Sequence, residues 1–418
     1  MSPRRTISAA AAAVLVGSTL VACGGDDGGP PVINLYGFAS AAGFDKVIAD
    51  CNKRANGEYE IKGNLLPSDA DGQREQLVRR LAAKDDQMDL LGLDVTWTAE
   101  FAEAGWIREL TPEQAEAATE DVLDAPIRTA TWQDKLYAIP KHTNVQLLWY
   151  RKSLVPEAPT TWDEVREIAD QLEQEGKPHK VGLTAAQYEG YVVAFNTILS
   201  SLGGTIVNED STEVTIDDTT TQALQILRDF ARSDAASASL SNSQEPEVFA
   251  QLQNGEAAMI INWPYVLSAM RGAAPEVAED LGWAILPSFA DGEPPRATLG
   301  GMNFAISEYS KHPEETFDAA MCLRDEKAQL AVAIDSGEPP VMKSIYEDPE
   351  FRKVYPMYAE MLKELDTAVP RPVTPLYQNI STVLSNTMSP PRDIDPGSTT
   401  DDLKSAIQDA LDGKGILP

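Results

Sequence analysis

Histidine and cysteine are scarce in this chain, at three each in 418 residues. His142, His179 and His312 share no helical face, and no HExxH or paired-cysteine motif occurs, so nothing local proposes a bound zinc ion or any other metal. A Walker A loop, a GxGxxG following a strand and a GxSxG elbow are also missing, so nothing local points to nucleotide or acyl-transfer chemistry, or to an organic cofactor. Positive charge is in short supply: 34 Lys and Arg face 65 Asp and Glu, a net charge of −31. Such a surface repels nucleic acid and anionic head groups and favours neutral or cationic ligands. Beyond the N-terminus no apolar stretch approaches membrane length, and no internal repeat appears.

The N-terminus itself is distinctive. Arg4 and Arg5 precede an uncharged, mostly apolar run from Ile7 to Ala22, too short for a permanent span. It ends in Leu20-Val21-Ala22-Cys23, followed by "GGDDGGPP". This is the pattern of a bacterial lipoprotein signal: residues 1–22 are expected to be removed, Cys23 lipidated, and 23–31 to serve as a tether. The expected location is the outer face of the cell membrane, held by lipid alone. Two thiols then remain, Cys51 and Cys322. In an exported protein a Cys51–Cys322 disulfide is the favoured reading, with two buried inert thiols as the alternative.

The rest of the chain, roughly 400 residues, exceeds what one hydrophobic core usually serves, so two lobes are expected. "VINLYGF", "EYEIKGNLL" and "MDLLGLDV" read as strands, separated by amphipathic helices over 43–56 and 69–84. This alternation predicts an α/β fold built on parallel sheets. Thr111-Pro-Glu-Gln and Thr161-Trp-Asp-Glu fit capping boxes, and Gly105 and Gly203-Gly204 fit helix ends. Pro140, within "KLYAIPKHTNVQLLWYRKSL", argues against one long central strand and for a crossover between lobes. "GWAILPSF" (282–289) reads as a second strand leaving a lobe. "AAMIINWPYVLSAM" (257–270) begins as a buried strand, then places an amide, an indole and a phenol around Pro264 before helical spacing resumes.

The order of these segments is similar to that of the solute-binding lipoproteins of carbohydrate ABC importers, of the maltose-binding type. The lipobox is followed by "LYAIPKHTNVQLLWYRKSL", "VPEAPTTWDEV", "FAQLQNGEAAMIINWPYVLSAM", "AILP", "GGMNFAIS" and "HPEETFDAAMCLRDEKAQ". "LDVTWTAEFAEAGW", "NWPYVLSAM", "RPVTPLYQ" and "DGKGILP" most resemble the actinobacterial LpqY-type trehalose-binding lipoproteins. The resemblance implies a two-lobed, Venus-flytrap α/β fold with a mainly parallel sheet in each lobe. Residues 32–140 and 288–307 would form lobe 1, and 141–287 and 308–418 lobe 2. Hinge strands would pass near Pro140–Thr143, Leu286-Pro287 and Ser307–His312. It further implies a disaccharide ligand, trehalose favoured, and partners in an ABC permease with a cytoplasmic ATPase.

A pyranose presents an apolar C–H face to aromatic rings and a belt of hydroxyls to Asp, Glu, Asn and Arg. On that chemistry and the resemblance, Trp263 and Tyr265 are expected to pack on sugar faces. Asp94, Asn144, Glu189, Asn262 and Arg371 would hold hydroxyls, and Gly300-Gly301 would let backbone approach the ligand. Trp97 is read as packing at the cleft edge, Trp149 and Tyr150 as core, and His142 as a hinge surface residue. The competing classes are an exported glycosidase, which needs a carboxylate pair, a binder of another oligosaccharide or a glycerophosphodiester, and a purely structural lipoprotein.

Overall fold

A computed structural model describes residues 29–37, 43–289 and 292–414. The expected signal segment, Cys23 and most of the tether lie outside the described residues. The first sheet contains β1 (Val32–Gly37), β2 (Glu60–Leu65), β3 (Leu90–Asp94), β6 (Ile139–Asn144) and β11 (Gly300–Ile306). A short hairpin, β4 (Thr131–Trp132) and β5 (Lys135–Leu136), precedes β6. The second sheet contains β7 (Leu147–Arg151), β8 (Lys180–Gly182), β9 (Ala257–Asn262) and β10 (Leu281–Ala284). Strand orders are β2-β1-β3-β11-β6 and β10-β7-β9-β8.

Helices cover both faces of the first sheet, and the two sheets have separate cores. Ile33, Leu35, Leu90 and Phe304 anchor one side of the first sheet, and Leu77, Leu81, Leu91 and Leu93 the other. Leu147, Trp149, Ile260, Phe195 and Leu224 belong to the second core. The capping boxes at Thr111 and Thr161 form, and Gly105 and Gly203 take left-handed dihedrals at helix ends.

Each sheet is mainly parallel, with one strand running against the others: β11 in the first and β7 in the second. β1 runs parallel to β2 and β3, but β11 is antiparallel to both β3 and β6. In the second sheet β8 runs parallel to β9, but β7 is antiparallel to both β9 and β10. The antiparallel strands are those next to the crossings, where the chain enters a sheet from the opposite lobe.

The crossings fall elsewhere than expected. Pro140 lies inside β6, the edge strand beside β11, where a missing N–H is tolerated. The chain leaves the first sheet after Asn144, and Val145 already belongs to the second core. Residues 288–289 and 292–299 stay with the second lobe. Ser288 bridges Thr161, Thr298 bonds Asn196 and Thr197, and the Leu299 N–H reaches Val369. The return crossing is therefore Leu299–Gly300.

Ser307 and Ser310 do not form a hinge, because both are tied to Asp89 of the first lobe. Ala319, Ala320 and Leu323 of the next helix pack in the first core. The third crossing is at Lys343–Ile345: Lys343 N–H still bonds Asp121, whereas Ile345 is in the second core. Cys322 consequently belongs with the first lobe. It is bonded to Cys51 across 271 residues, joining two helices on the same sheet. The bridge leaves the crossings unconstrained.

Among the described residues no helix is long and apolar enough to cross a membrane.

Candidate functional site

A cleft of about 720 Å³ lies between the lobes. The first lobe contributes the helix start at Ser68–Ala70, Asp94 at the carboxyl end of β3, His142 and Asn144 on β6, and Gly300–Met302 on β11. The second lobe contributes Tyr188–Gly190, Gln244–Pro246, Trp263, Tyr265 and Arg371. All the residues expected at the site line it except Asn262. Ligand cavities in α/β proteins form at strand ends in this way, and the volume suits a small organic ligand.

Arg371 is the electrostatic centre. It is 4 % exposed, on a loop between Pro370 and Pro372. One guanidinium arm donates to Glu189, and the other to Asp94 Oδ1 at 3.3 Å, so the cation bridges the lobes. Glu189, the first residue of the helix Glu189–Ser201, also accepts hydroxyl bonds from Tyr377 and Ser381. Burial pushes its carboxyl up, with Arg371 opposing. Burial also disfavours the Arg371 charge, but Asp94, Tyr377 and Glu189 outweigh it and raise its pKa. Both of Glu189's oxygens are thus engaged by protein donors, and it holds the arginine in place. Asp94 spends Oδ1 on Thr96 as well, at 3.0 Å to the backbone and 2.8 Å to the hydroxyl. Among the described residues, two buried atoms here lack protein partners, Arg371 Nε and Asn144 Oδ1. They are the donor and acceptor a hydroxyl needs.

The turn after β9 supplies the aromatic side. Asn262, expected as a ligand contact, is fully buried. Its Oδ1 accepts the Trp263 N–H at 2.8 Å, and its Nδ2 donates to the Glu245 carbonyl at 3.0 Å. Both its amide atoms are engaged in building the turn, and it does not line the cleft. Trp263 is half-buried, and its ring lies against Gly300: a Cβ there would sit 2.8 Å from the indole. Gly301, at φ 128°, passes so close to the His142 carbonyl that any Cβ would clash. The two glycines therefore form a flat backbone floor beside the indole. Tyr265 directs its hydroxyl to the Glu245 carbonyl at 3.1 Å and packs on Phe249.

Sequence reasoning missed the Tyr188–Glu245 pair. The Tyr188 hydroxyl bonds the Glu245 carboxylate, whose other oxygen accepts the Trp263 indole N–H at 3.4 Å. Burial, then Glu245, raises the Tyr188 pKa. His142 is the second correction. It is buried, not a surface residue, because the segment Pro339-Pro340 covers β6. Burial lowers its pKa to about 4, so the ring is neutral near pH 7. Its neighbour Lys141 pairs with Glu338 at 2.8 Å. Burial would raise Glu338, but Lys141 and His142 hold it down to about 2. Trp97 is core, stacked on Phe101, and Trp149 is fully buried. Among the described residues no group of His, Cys, Asp and Glu is placed to hold a metal ion.

Two lobes with separate cores, three chain crossings and a cleft lined from both sides define a ligand-trapping clamp. Residues 38–330 match the family described as bacterial extracellular solute-binding protein, and the chain belongs to that family. A probable ABC transporter-binding protein of Deinococcus radiodurans is 28% identical over 348 residues, which cover 79% of this chain and 81% of that protein. A galactooligosaccharide-binding protein of Bacillus subtilis is 25% identical over 55% of each chain. The solved maltose-bound MalE3 of T. maritima superposes with a TM-score of 0.83 at 26% identity, covering 90% of this chain and 99% of that one.

Proposed function

We propose that this chain is the exported, lipid-anchored sugar receptor of an ABC importer. It takes a disaccharide, trehalose favoured, into the cleft and presents it to the permease, whose ATPase subunits hydrolyse ATP. The observation that carries this reading is one cleft that sets a half-buried indole on a glycine floor beside Arg371, Asp94 and Asn144. A ring face needs the indole. Hydroxyls need the charged groups, since a buried polar group without its partner costs about 1–3 kcal/mol. The names of the relatives, a galactooligosaccharide-binding protein and a maltose-bound structure, support a saccharide. Trehalose rests on the motif resemblance, and lipidation on Cys23 in its lipobox.

Titration calorimetry against trehalose, maltose, a galacto-oligosaccharide and a glycerophosphodiester tests the ligand. Heat with trehalose at the lowest concentration is expected. Silence with trehalose, but heat with another member, would reject the specificity. Mass spectrometry of the native and Cys23→Ala proteins tests the anchor: a diacylglyceryl mass must appear only in the first.

A further inference from the structure

Gln378 lies in the first turn of the second-lobe helix Tyr377–Met388, and its Nε2 donates to Asp71 Oδ1 at 3.1 Å. Asp71 is in the first turn of the helix Ala70–Ala82, whose Leu77 and Leu81 pack in the first lobe. The bond thus spans the lobes, between residues 307 apart in sequence. Gln378 is buried and Asp71 half-buried, and neither lines the cleft. The same helix carries Tyr377 and Ser381, which hold the Glu189 carboxylate and through it Arg371. One stretch of helix therefore supports both an inner lobe-to-lobe link, Arg371–Asp94, and this outer one.

We infer that Asp71 and Gln378 are positioning residues: a clasp that holds the lobes in the ligand-enclosing arrangement without touching the ligand. The inference rests on the cleft being the ligand site. A ligand that needs both lobes sees an affinity reduced by the fraction of molecules in the competent arrangement. Losing one net hydrogen bond then weakens binding by about 3- to 10-fold. The loss belongs in the dissociation rate, because the clasp makes no contact with an incoming sugar.

The test measures association and dissociation of trehalose, or of whichever panel sugar binds, by stopped-flow fluorescence. The variants are Gln378→Ala, Asp71→Ala, the double variant and Asp71→Asn. Each alanine variant should release sugar about 3- to 10-fold faster with association within two-fold of wild type. The double variant should be no faster than the singles, and Asp71→Asn, which keeps the acceptor oxygen, should behave as wild type. An unchanged dissociation rate in either single variant, or additive effects in the double, overturns the clasp. Small-angle scattering of the sugar-free proteins separates this from the ligand reading. If no sugar binds the wild type, the proposed ligand class fails. The clasp then stands on a larger radius of gyration in both alanine variants and falls on an unchanged one.

Discussion

Glu364 offers a perturbation whose size the structure sets. Its side chain is buried beneath the end of β10, on the helix Tyr358–Thr367, with one oxygen accepting the Leu286 N–H. Among the described residues no cation offsets its burial, which raises its pKa to about 7 against the Leu286 bond, which lowers it. An ordinary glutamate carboxyl titrates at 4.5. At pH values below 4.5 it is protonated in both folded and unfolded chains, and no penalty exists. As pH rises through 7 the unfolded chain ionises freely while the folded one resists, so stability is lost over that window. The difference in pKa amounts to about 3 kcal/mol at its limit. Glu364→Gln keeps an acceptor for Leu286 and cannot ionise. Urea denaturation should find the two proteins within about 1 kcal/mol near pH 5. Near pH 8.5 the variant should be more stable by about 2–3 kcal/mol. All other titrations, His142 included, are shared and cancel in the difference. A stability difference that does not change between those pH values would refute the reasoning.

Trp263→Ala should abolish measurable sugar binding while lowering stability by less than the roughly 3–5 kcal/mol of a core tryptophan, because the indole is half-buried. Calorimetry and a thermal melt read the two effects apart. Gly300→Ala inserts a methyl 2.8 Å from the indole, and its backbone dihedrals permit alanine. The ring should yield, weakening sugar affinity by about ten-fold, since overpacking costs about 1–3 kcal/mol; unchanged affinity would separate the indole from the ligand. Reducing Cys51–Cys322, or replacing both by serine, should cost roughly 2–5 kcal/mol of stability. Sugar affinity should survive, because both cysteines lie in one lobe; a lost affinity with the fold intact would contradict that placement.

What could be read in advance was whatever neighbouring residues decide. The capping boxes at Thr111 and Thr161 are satisfied within four residues of themselves. The run Leu90–Leu93 announces a buried strand, and the acid that ends it, Asp94, falls at the strand's carboxyl end by count alone. The crossings were misplaced because they depend on distant partners. Pro140 breaks a central strand but sits comfortably on an edge, and only β11, more than a hundred residues later, makes β6 an edge. His142 looked exposed for the same reason: its cover comes from Pro339-Pro340.

Asn262 shows how a residue can shape a cleft without lining it. The backbone N–H of Trp263 is fixed by the Asn262 side chain, and the indole N–H by the Glu245 carboxylate. Asn262 and Glu245 are themselves joined, amide to carbonyl. The tryptophan is thereby held at both ends before any ligand arrives, so its ring has less freedom to lose on binding. Preorganisation of this kind preserves affinity that an untethered side chain would spend on ordering. An amide was the right residue type for that turn, since it must accept from one neighbour and donate to another. From the sequence, the same two-sided chemistry reads equally well as a contact to a sugar's hydroxyls. Only the approach of Glu245, on a different element, decides between them.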